Sequence, residues 1–224
     1  MNSITLLLSL SLLSSVSAQS PVAIEKEPRH QLKFENQFVR VFDVRIPPGD
    51  TTLFHTHTHD GVGIKLTDAR LRSEVLGGSV DEVVCKRGEV DFTRFPNPLT
   101  HKVGNIGATP FRNIFIEILS SSAAPASTPS PAAVADHTVV LENERARVLR
   151  LELAPGQSTA ERTHVLGGVR VALSEGNILI ASPDRDARTV KVGAGDYEWV
   201  QGGTKESLKN VGSAPCAVVE IELK

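Results

Sequence analysis

Residues 40–49, RVFDVRIPPG, recur as residues 147–156, RVLRLELAPG, and this repeated stretch decides the fold. In both copies apolar residues alternate with polar or charged ones, and each copy ends in Pro-Gly. A period of two is typical of a β-strand with one buried face, and Pro-Gly marks a turn. The repeat therefore predicts the same strand and the same turn twice in one chain.

The similarity extends over most of the sequence. Residues 30–71 align with residues 137–178 without a gap, and ordered identities continue from residues 88–117 to residues 193–222. Chance does not produce so many ordered matches, so the chain contains an internal duplication. Short alternating segments with frequent Gly and Pro, and no long amphipathic helix, predict an all-β sandwich or barrel in each half.

A low-complexity segment separates the two copies. Residues 120–135 are nearly all Ser, Ala, Pro and Thr, which is typical of an extended or flexible linker with too little apolar surface to pack. We therefore predict two domains, residues 30–119 and residues 137–224.

The N-terminus predicts export. The apolar residues 4–13 are followed by the small residues Val16, Ser17 and Ala18, which favours cleavage before Gln19. An uncleaved anchor is the alternative, because no basic residue precedes the run; however, the run is shorter than the roughly 20 apolar residues that a membrane span needs. We predict that residues 1–18 are a signal peptide and that the mature protein is secreted or periplasmic.

Charge and cysteine content narrow the classes of partner. The formal net charge is -2, and the Lys and Arg residues are scattered, which argues against a nucleic-acid or anionic-membrane partner. The only cysteines, Cys85 and Cys216, lie in different halves of the chain. They are either isolated thiols or a cross-link, which an oxidising compartment would permit.

A cluster of histidines in the first copy predicts a metal site. His55, His57 and His59 form an H-x-H-x-H pattern, and His101 follows on another predicted strand. On a strand, residues two apart face the same side, so His55 and His57 present adjacent imidazoles. Imidazoles bind divalent transition metals, and three protein ligands leave positions open, as in catalytic sites.

Two motifs around these histidines resemble those of the cupin superfamily. Gly49, followed by five residues and then His55-x-His57, resembles the first cupin motif, and His101-x3-Asn105 resembles the end of the second. The resemblance implies a jelly-roll barrel in each half and makes the chain similar to bicupins. It also implies that the first barrel holds one divalent transition metal (Fe, Mn, Ni, Cu or Zn).

The sequence departs from the cupin pattern around this site. Many cupins carry a glutamate ligand shortly after the H-x-H motif, where this chain has Gly61 and Val62. His59 is therefore either a fourth ligand or a histidine at the rim. His30 and His137 match each other in the repeat and precede the first motif, so we assign them to the fold.

The second copy lacks the histidine set. Arg162, His164 and Glu206 stand where the first copy has its three histidines. Arginine has no free lone pair for a metal, so we predict that metal binding is lost in the second barrel. Arg162 and Glu206 can form a charge-assisted pair beside His164; alternatively, Arg162 binds an anionic ligand, or the charges lie exposed at the cup mouth.

Three functions remain open at this level. By its resemblance to three-histidine cupins, the protein is a dioxygenase-like, non-haem metal enzyme that acts on a small molecule. The alternatives are a non-catalytic small-ligand-binding or structural cupin, and an interaction protein that forms a homodimer. No catalytic residue is assigned, although Glu89 and Asp91 lie near the second motif.

Overall fold

A computed structural model describes residues 20–120 and 136–224. The predicted signal peptide and all but one residue of the predicted linker lie outside the described residues. In the described part the only helix is one 3-10 turn, Ile24–Lys26, and the remaining elements are β-strands. Within these limits, no helix has the length and apolar character to cross a membrane. The predicted all-β fold class is confirmed.

The first half forms a barrel of two facing five-stranded sheets. Its strands are β1 Val22–Ala23, β2 His30–Glu35, β3 Val39–Ile46, β4 His55–His57, β5 Gly61–Lys65, β6 Ala69–Val75, β7 Val80–Cys85, β8 Val90–Thr93, β9 Leu99–Asn105 and β10 Phe111–Ile118. One sheet has the order β1-β4-β9-β6-β7 and the other the order β2-β3-β10-β5-β8. The strands pair antiparallel except β1, which lies parallel to β4.

The second half repeats this topology. Its strands are β11 His137–Glu142, β12 Ala146–Leu153, β13 Arg162–Thr163, β14 Gly168–Ala172, β15 Gly176–Ser182, β16 Arg185–Val192, β17 Tyr197–Val200, β18 Lys205–Asn210 and β19 Cys216–Leu223. The sheet orders are β11-β12-β19-β14-β17 and β13-β18-β15-β16. The order is that of the first barrel without a counterpart of β1, so both halves are jelly-roll barrels of one design.

The repeated turn is held in the same way in both barrels. Gly49, at the end of the repeated stretch, has a φ of 75°, a conformation that glycine adopts without steric cost. The Asn105 side chain donates to the Ile46 carbonyl oxygen at 2.9 Å, and its repeat counterpart Asn210 donates to the Leu153 carbonyl oxygen at 3.0 Å. Asn105 ends β9 and Asn210 ends β18, so each asparagine ties the end of the repeated strand to the end of a strand in the facing sheet.

The two barrels pack against each other through their five-stranded sheets β2-β3-β10-β5-β8 and β11-β12-β19-β14-β17. On β10 and β19, every second residue faces the other barrel and is buried in a shared apolar cluster: Ile114, Ile116, Ile118, Val219, Ile221 and Leu223. The intervening residues face the barrel interiors and are also buried, for example Phe115 and Val218. The alternation predicts one buried face, and the contact between barrels buries the second.

The cysteines do not form a cross-link. Cys85 packs in the apolar interior of the first barrel and Cys216 in that of the second. Both are buried and free, so they are isolated thiols with a packing role.

Glu117 on β10 is a buried carboxylate that points into the first barrel. Its side chain is fully buried, and neither carboxylate oxygen has a hydrogen-bond partner among the described residues. The nearest cation is Arg40, whose Nη1 lies 3.6 Å from Glu117 Oε2. Burial raises the pKa of Glu117 to about 7, although Arg40 opposes the shift. The charged form is therefore disfavoured in the folded state.

We expect Glu117→Gln to stabilise the protein at alkaline pH. The pKa of Glu117 is higher in the folded than in the unfolded state, so its contribution to stability is full below pH 4.5 and is lost as the pH rises through about 7. The gain at pH 8 is at most about 3 kcal/mol, because the change also removes a partner of Arg40. Thermal unfolding of the parent protein and the variant at pH 5 and pH 8 measures this gain in stability. An equal change in stability at both pH values would contradict the raised pKa of Glu117.

Candidate metal centre in the first barrel

Strand register brings the predicted ligands together. His55 and His57 lie on β4, which pairs antiparallel with β9 so that His55 stands directly opposite His101. His55 is fully buried and His57 is 4% exposed. Thr56 faces the other side of the sheet and contacts the Thr100 hydroxyl at 2.8 Å. The period of two therefore directs the imidazoles, and not the threonines, into the barrel.

The imidazoles converge closely enough to share one ion. The ring centroids of His55 and His101 are 4.7 Å apart, those of His57 and His101 5.0 Å, and those of His55 and His57 5.1 Å. His57 Nε2 lies 3.1 Å from His101 Nε2. Two nitrogens bound to one ion at about 2.1 Å are roughly 3.0–3.4 Å apart. The distance between His57 and His101 is thus that of two ligands to one ion.

His30 also joins this group, which the sequence does not predict. His30 opens β2 on the facing sheet, and its ring centroid is 4.4 Å from that of His55. Ligand atoms of His30, His55 and His57 all lie within 4.8 Å of one another, and all three residues are buried. The available signal was that the duplication keeps a histidine at this position in both halves, as His137 in the second.

Hydrogen bonds on one ring nitrogen leave the other free for a metal. The Nδ1 atom of His55 faces the Leu53 carbonyl oxygen at 2.9 Å, and that of His30 faces Glu27 Oε2 at 2.8 Å. Both oxygens only accept, so each Nδ1 carries a proton and donates it, and Nε2 is the nitrogen that remains to face a metal. His55 Nε2 and His57 Nδ1 are buried without any hydrogen-bond partner among the described residues. The orphaned Nε2 of His55 fits an ion in the cup.

The Glu27 carboxylate fixes the orientation of His30 through its hydrogen bond with Nδ1. The carboxylate is 2% exposed and accepts hydrogen bonds from the backbone N–H groups of Arg29, at 2.7 Å, and Leu53, at 3.1 Å. Burial alone would raise the pKa of Glu27, but the hydrogen bonds from His30 and the two backbone groups lower it. Glu27 therefore stays ionised and fixes the tautomer of His30, like the carboxylate partners of metal-ligating histidines.

The buried imidazoles are neutral. Burial, reinforced by the neighbouring histidines, lowers the pKa of His55 to about 3, that of His57 to about 2 and that of His101 to about 4. Since a metal binds only the unprotonated ring, protons do not compete for these nitrogens at neutral pH. A cation that binds these nitrogens at neutral pH does not have to displace protons from them.

The structure does not bring His59 into this group. His59 is half-buried, and its Nδ1 contacts the Thr58 hydroxyl at 3.0 Å. Its charged neighbours are two arginines and two carboxylates: Arg40, Arg145, Asp60 and Glu25. That position is at the rim of the barrel. Its role as a ligand stays a prediction from the sequence.

Phe115 fills the place where a glutamate ligand would stand. A side-chain carbon on Gly61 would lie 2.3 Å from the Phe115 ring, so a glutamate at that position does not fit. Phe115 meets the His57 ring edge-on at 5.2 Å, and Phe95 stacks on it at 4.7 Å. The missing carboxylate is thus replaced by an aromatic wall.

A cavity beside the histidines has room for a small molecule. Its volume is about 290 Å³, and its lining is mostly apolar but includes His57 and His101. Polar side chains from the facing sheet also line it, among them Lys65, Asp91 and Asn113. Lys65 Nζ contacts Asp91 Oδ1 at 2.5 Å, and Asn113 Oδ1 is buried without a hydrogen-bond partner among the described residues. An apolar pocket with a few convergent polar groups is typical of a small-molecule site.

In the second barrel a guanidinium group occupies the cup. Arg170, only 5% exposed, donates to Glu220 Oε1 at 2.8 Å and pairs with Glu206 through a short contact. His164 Nε2 lies 3.1 Å from the same Glu206 oxygen. Burial alone would raise the pKa of Glu206, but His164 and Arg170 lower it to about 2. The positive charge in this cup is therefore supplied by the chain itself.

Arg162 has partners other than the one predicted. The sequence suggests a pair between Arg162 and Glu206, whereas Arg162 Nη2 lies 2.8 Å from Glu220 Oε2 and 3.2 Å from Glu222 Oε1. Glu206 is taken by Arg170 instead. The charges lie inside the cup rather than at its mouth, and Arg162 is already neutralised by two carboxylates.

Comparison with known proteins identifies the fold. No protein-family model matches the chain, and no curated protein matches it. Among solved structures, AerE from Microcystis aeruginosa is 10% identical with a TM-score of 0.60, covering 88% of this chain and 98% of its own. Oxalate decarboxylase from Bacillus subtilis is 13% identical with a TM-score of 0.58, covering 84% of this chain and 69% of its own.

A third similar structure is salicylate 1,2-dioxygenase from Pseudaminobacter salicylatoxidans. It is 16% identical with a TM-score of 0.56, and the match covers 83% of this chain and 71% of the dioxygenase. At such identities the likeness concerns the fold, and it spans both halves of the chain. The likeness shows the fold of the chain, a pair of jelly-roll barrels arranged as in bicupins.

Proposed function

We propose that the first barrel is the metal centre of an exported bicupin, in which His55, His57 and His101 hold one divalent transition metal. The observation that carries the proposal is that ligand atoms of the buried His30, His55 and His57 lie within 4.8 Å of one another. His101 adjoins this group, because its Nε2 lies 3.1 Å from His57 Nε2. His30, held by Glu27, is the fourth imidazole of the set. The metal is Fe, Mn, Ni, Cu or Zn, since nitrogen ligands suit several of these ions.

The cavity beside the site suits a small organic substrate. The aromatic rings of Phe95 and Phe115 exclude water from one side of His57. Lys65 and Asn113 offer a donor and an acceptor to polar groups of a bound molecule. The similar salicylate 1,2-dioxygenase binds gentisate, and the similar oxalate decarboxylase has Mn(II) centres. These likenesses support a dioxygenase-like activity on a small molecule here.

A bound ion would supply either redox chemistry with dioxygen or Lewis-acid polarisation of a substrate oxygen. The residues of this chain fix the neutral tautomers of the ligands, line the substrate cavity and keep the ring nitrogens unprotonated. No side chain near the histidines is assigned a proton-transfer role.

Elemental analysis of protein purified without an affinity tag tests the proposal. We expect about one transition metal per chain, since only the first barrel presents a histidine set. Oxygen uptake with small aromatic or dicarboxylic acids, measured on the iron- and manganese-loaded protein, then tests the dioxygenase-like activity. Little or no metal, even after reloading, would rule out the metal centre.

A non-catalytic role is the second candidate, and His30 favours it. Four imidazoles complete the coordination of a tetrahedral ion such as zinc, which is the arrangement of a structural site. Octahedral ions would keep two positions open for substrate. A bound metal with no exchangeable water, measured by water proton relaxation with a paramagnetic ion in the site, would favour the ligand-binding or structural role.

We also propose that the chain is exported with cleavage before Gln19. The apolar residues 4–13 and the small residues up to Ala18 support this. Expression of the full chain in a secreting host should give a mature protein whose N-terminal residue is Gln19, as measured by intact mass. Retention of residues 1–18 in the membrane fraction would favour the anchor instead. Whether the mature protein forms a homodimer, as predicted, can be measured on the same purified sample.

A further inference from the structure

The second barrel keeps a cavity although it lacks the histidine set. The cavity has a volume of about 370 Å³ and lies between the two sheets of this barrel. Part of its wall is apolar, formed by Ala172, Ile178, Ile180, Val190, Val192 and Val218, and the rest is polar, formed by Arg170, Lys191, Asp196, Tyr197 and Glu198. The duplication explains its position, because Ile178 and Asp196 are the repeat counterparts of Leu71 and Asp91, which line the first cavity. The volume is in the range of small-ligand sites.

Arg170 presents an unused hydrogen-bond donor to this cavity. Its Nε atom donates a hydrogen bond to Glu220, and its Nη2 atom donates one to Glu206. Its Nη1 atom is buried and makes no hydrogen bond to any described residue. Only 5% of the Arg170 surface is exposed to solvent. A buried donor without a partner is costly, so such a group signals a missing partner.

Glu198 places an acceptor opposite this donor. Glu198 Oε2 lies 3.7 Å from Arg170 Nη1, which is too long for a hydrogen bond. Arg188 pairs with the other oxygen, Oε1, and so leaves Oε2 facing the donor. A single hydroxyl oxygen about 2.8 Å from each atom could accept from Nη1 and donate to Oε2. Donor and acceptor thus form a pair of contacts for one hydroxyl group.

We infer that the second barrel is a binding site for a small neutral molecule with an apolar body and one hydroxyl group, such as a phenol or a cyclic alcohol. The hydroxyl sits between Arg170 and Glu198, and the body fills the apolar cavity. This site is separate from the metal centre and does not depend on the function proposed for the first barrel.

The charges of the cup favour a neutral ligand over an anion. Arg162 and Arg170 face three carboxylates in the cup, and the cavity adds the carboxylates of Glu198 and Asp196. Lys191 is the other cation in the lining. An anion entering here would meet excess negative charge, whereas a hydroxyl would accept from the unused Arg170 donor and donate to the facing Glu198 oxygen without adding charge.

A titration of the mature protein with phenol, followed by methyl NMR, tests this inference. We expect saturable shifts of the Ile178 and Ile180 methyl signals, and intermolecular nuclear Overhauser effects between phenol and these methyl groups. Benzoate, its anionic relative, and toluene, which lacks the hydroxyl, should bind at least about tenfold more weakly, the effect of one charge-assisted hydrogen bond. Glu198→Gln should weaken phenol binding while leaving toluene binding unchanged.

Matched variants locate the site. Val190→Phe fills the second cavity from a half-buried position and should abolish the phenol-induced shifts. Val103→Phe makes the same change in the first cavity and should preserve them. If either variant folds poorly, intermolecular Overhauser effects in the unmodified protein show which cavity phenol occupies. Effects confined to the first cavity, no saturable binding of phenol, or equal binding of benzoate and phenol would each overturn the inference.

Discussion

Replacing His57 by alanine is expected to lower the metal affinity of the protein at least about 100-fold. His57 contacts His101 at 3.1 Å and is fixed between Phe95 and Phe115, so its loss removes a ligand whose position no mobile side chain can take. Even the loss of an outer-shell partner of a ligand typically costs about 10–100-fold. Metal content after dialysis, and competition with a chromophoric chelator, measure the change.

Three further variants make the result specific. His164→Ala removes the repeat counterpart of His57 and should leave the metal content at about one ion per chain. Glu27→Gln should weaken binding less than His57→Ala, because it acts through the orientation of His30. His59→Ala decides whether the rim histidine contributes at all. Equal metal loss in His57→Ala and His164→Ala would show that the ion is not held in the first cup.

The sequence predicted the fold and the position of the site from local patterns. Alternation in residues 40–46 and its recurrence in the second half indicate a strand, and the strand directs His55 and His57 to one face. His101 could be added because its motif lies on a strand that pairs with the first. Register between neighbouring strands is dictated by hydrophobic pattern and turns, so these local signals were sufficient.

The sequence did not predict the interactions that cross the barrel. His30 reaches the site from the opposite sheet, and its partner Glu27 belongs to a segment without a counterpart in the second half. Arg170 was missed because its repeat counterpart is Gly63, where any side chain would collide with Lys65 and Asp91. A comparison of histidine positions alone cannot show that a guanidinium group occupies the second cup. Contacts of this kind depend on how two sheets face each other, which periodicity does not encode.

The second large effect is expected from Arg170→Met, which should destabilise the protein by about 3–5 kcal/mol. The substitution leaves Glu206 and Glu220 buried beside each other with the guanidinium removed. Burial alone would raise the pKa of each carboxyl, but Arg170 and neighbouring hydrogen bonds lower the pKa of Glu206 to about 2 and that of Glu220 well below its usual value. Chemical denaturation at pH 7 measures the loss of stability.

The pH dependence distinguishes lost charge pairing from lost packing. A carboxyl whose folded pKa is lowered contributes stability above its unfolded pKa, and this contribution disappears as the pH falls toward the folded value. In Arg170→Met the two carboxyls lose the cation that lowers their pKa, so the difference from the parent protein should shrink between pH 7 and pH 4. Adding Glu206→Gln and Glu220→Gln should recover part of the stability at pH 7. Arg188→Met, the matched loss of an exposed arginine, should cost less than about 1 kcal/mol. If Arg170→Met unfolded at the same denaturant concentration as Arg188→Met, the guanidinium would not be the cation that the second cup requires.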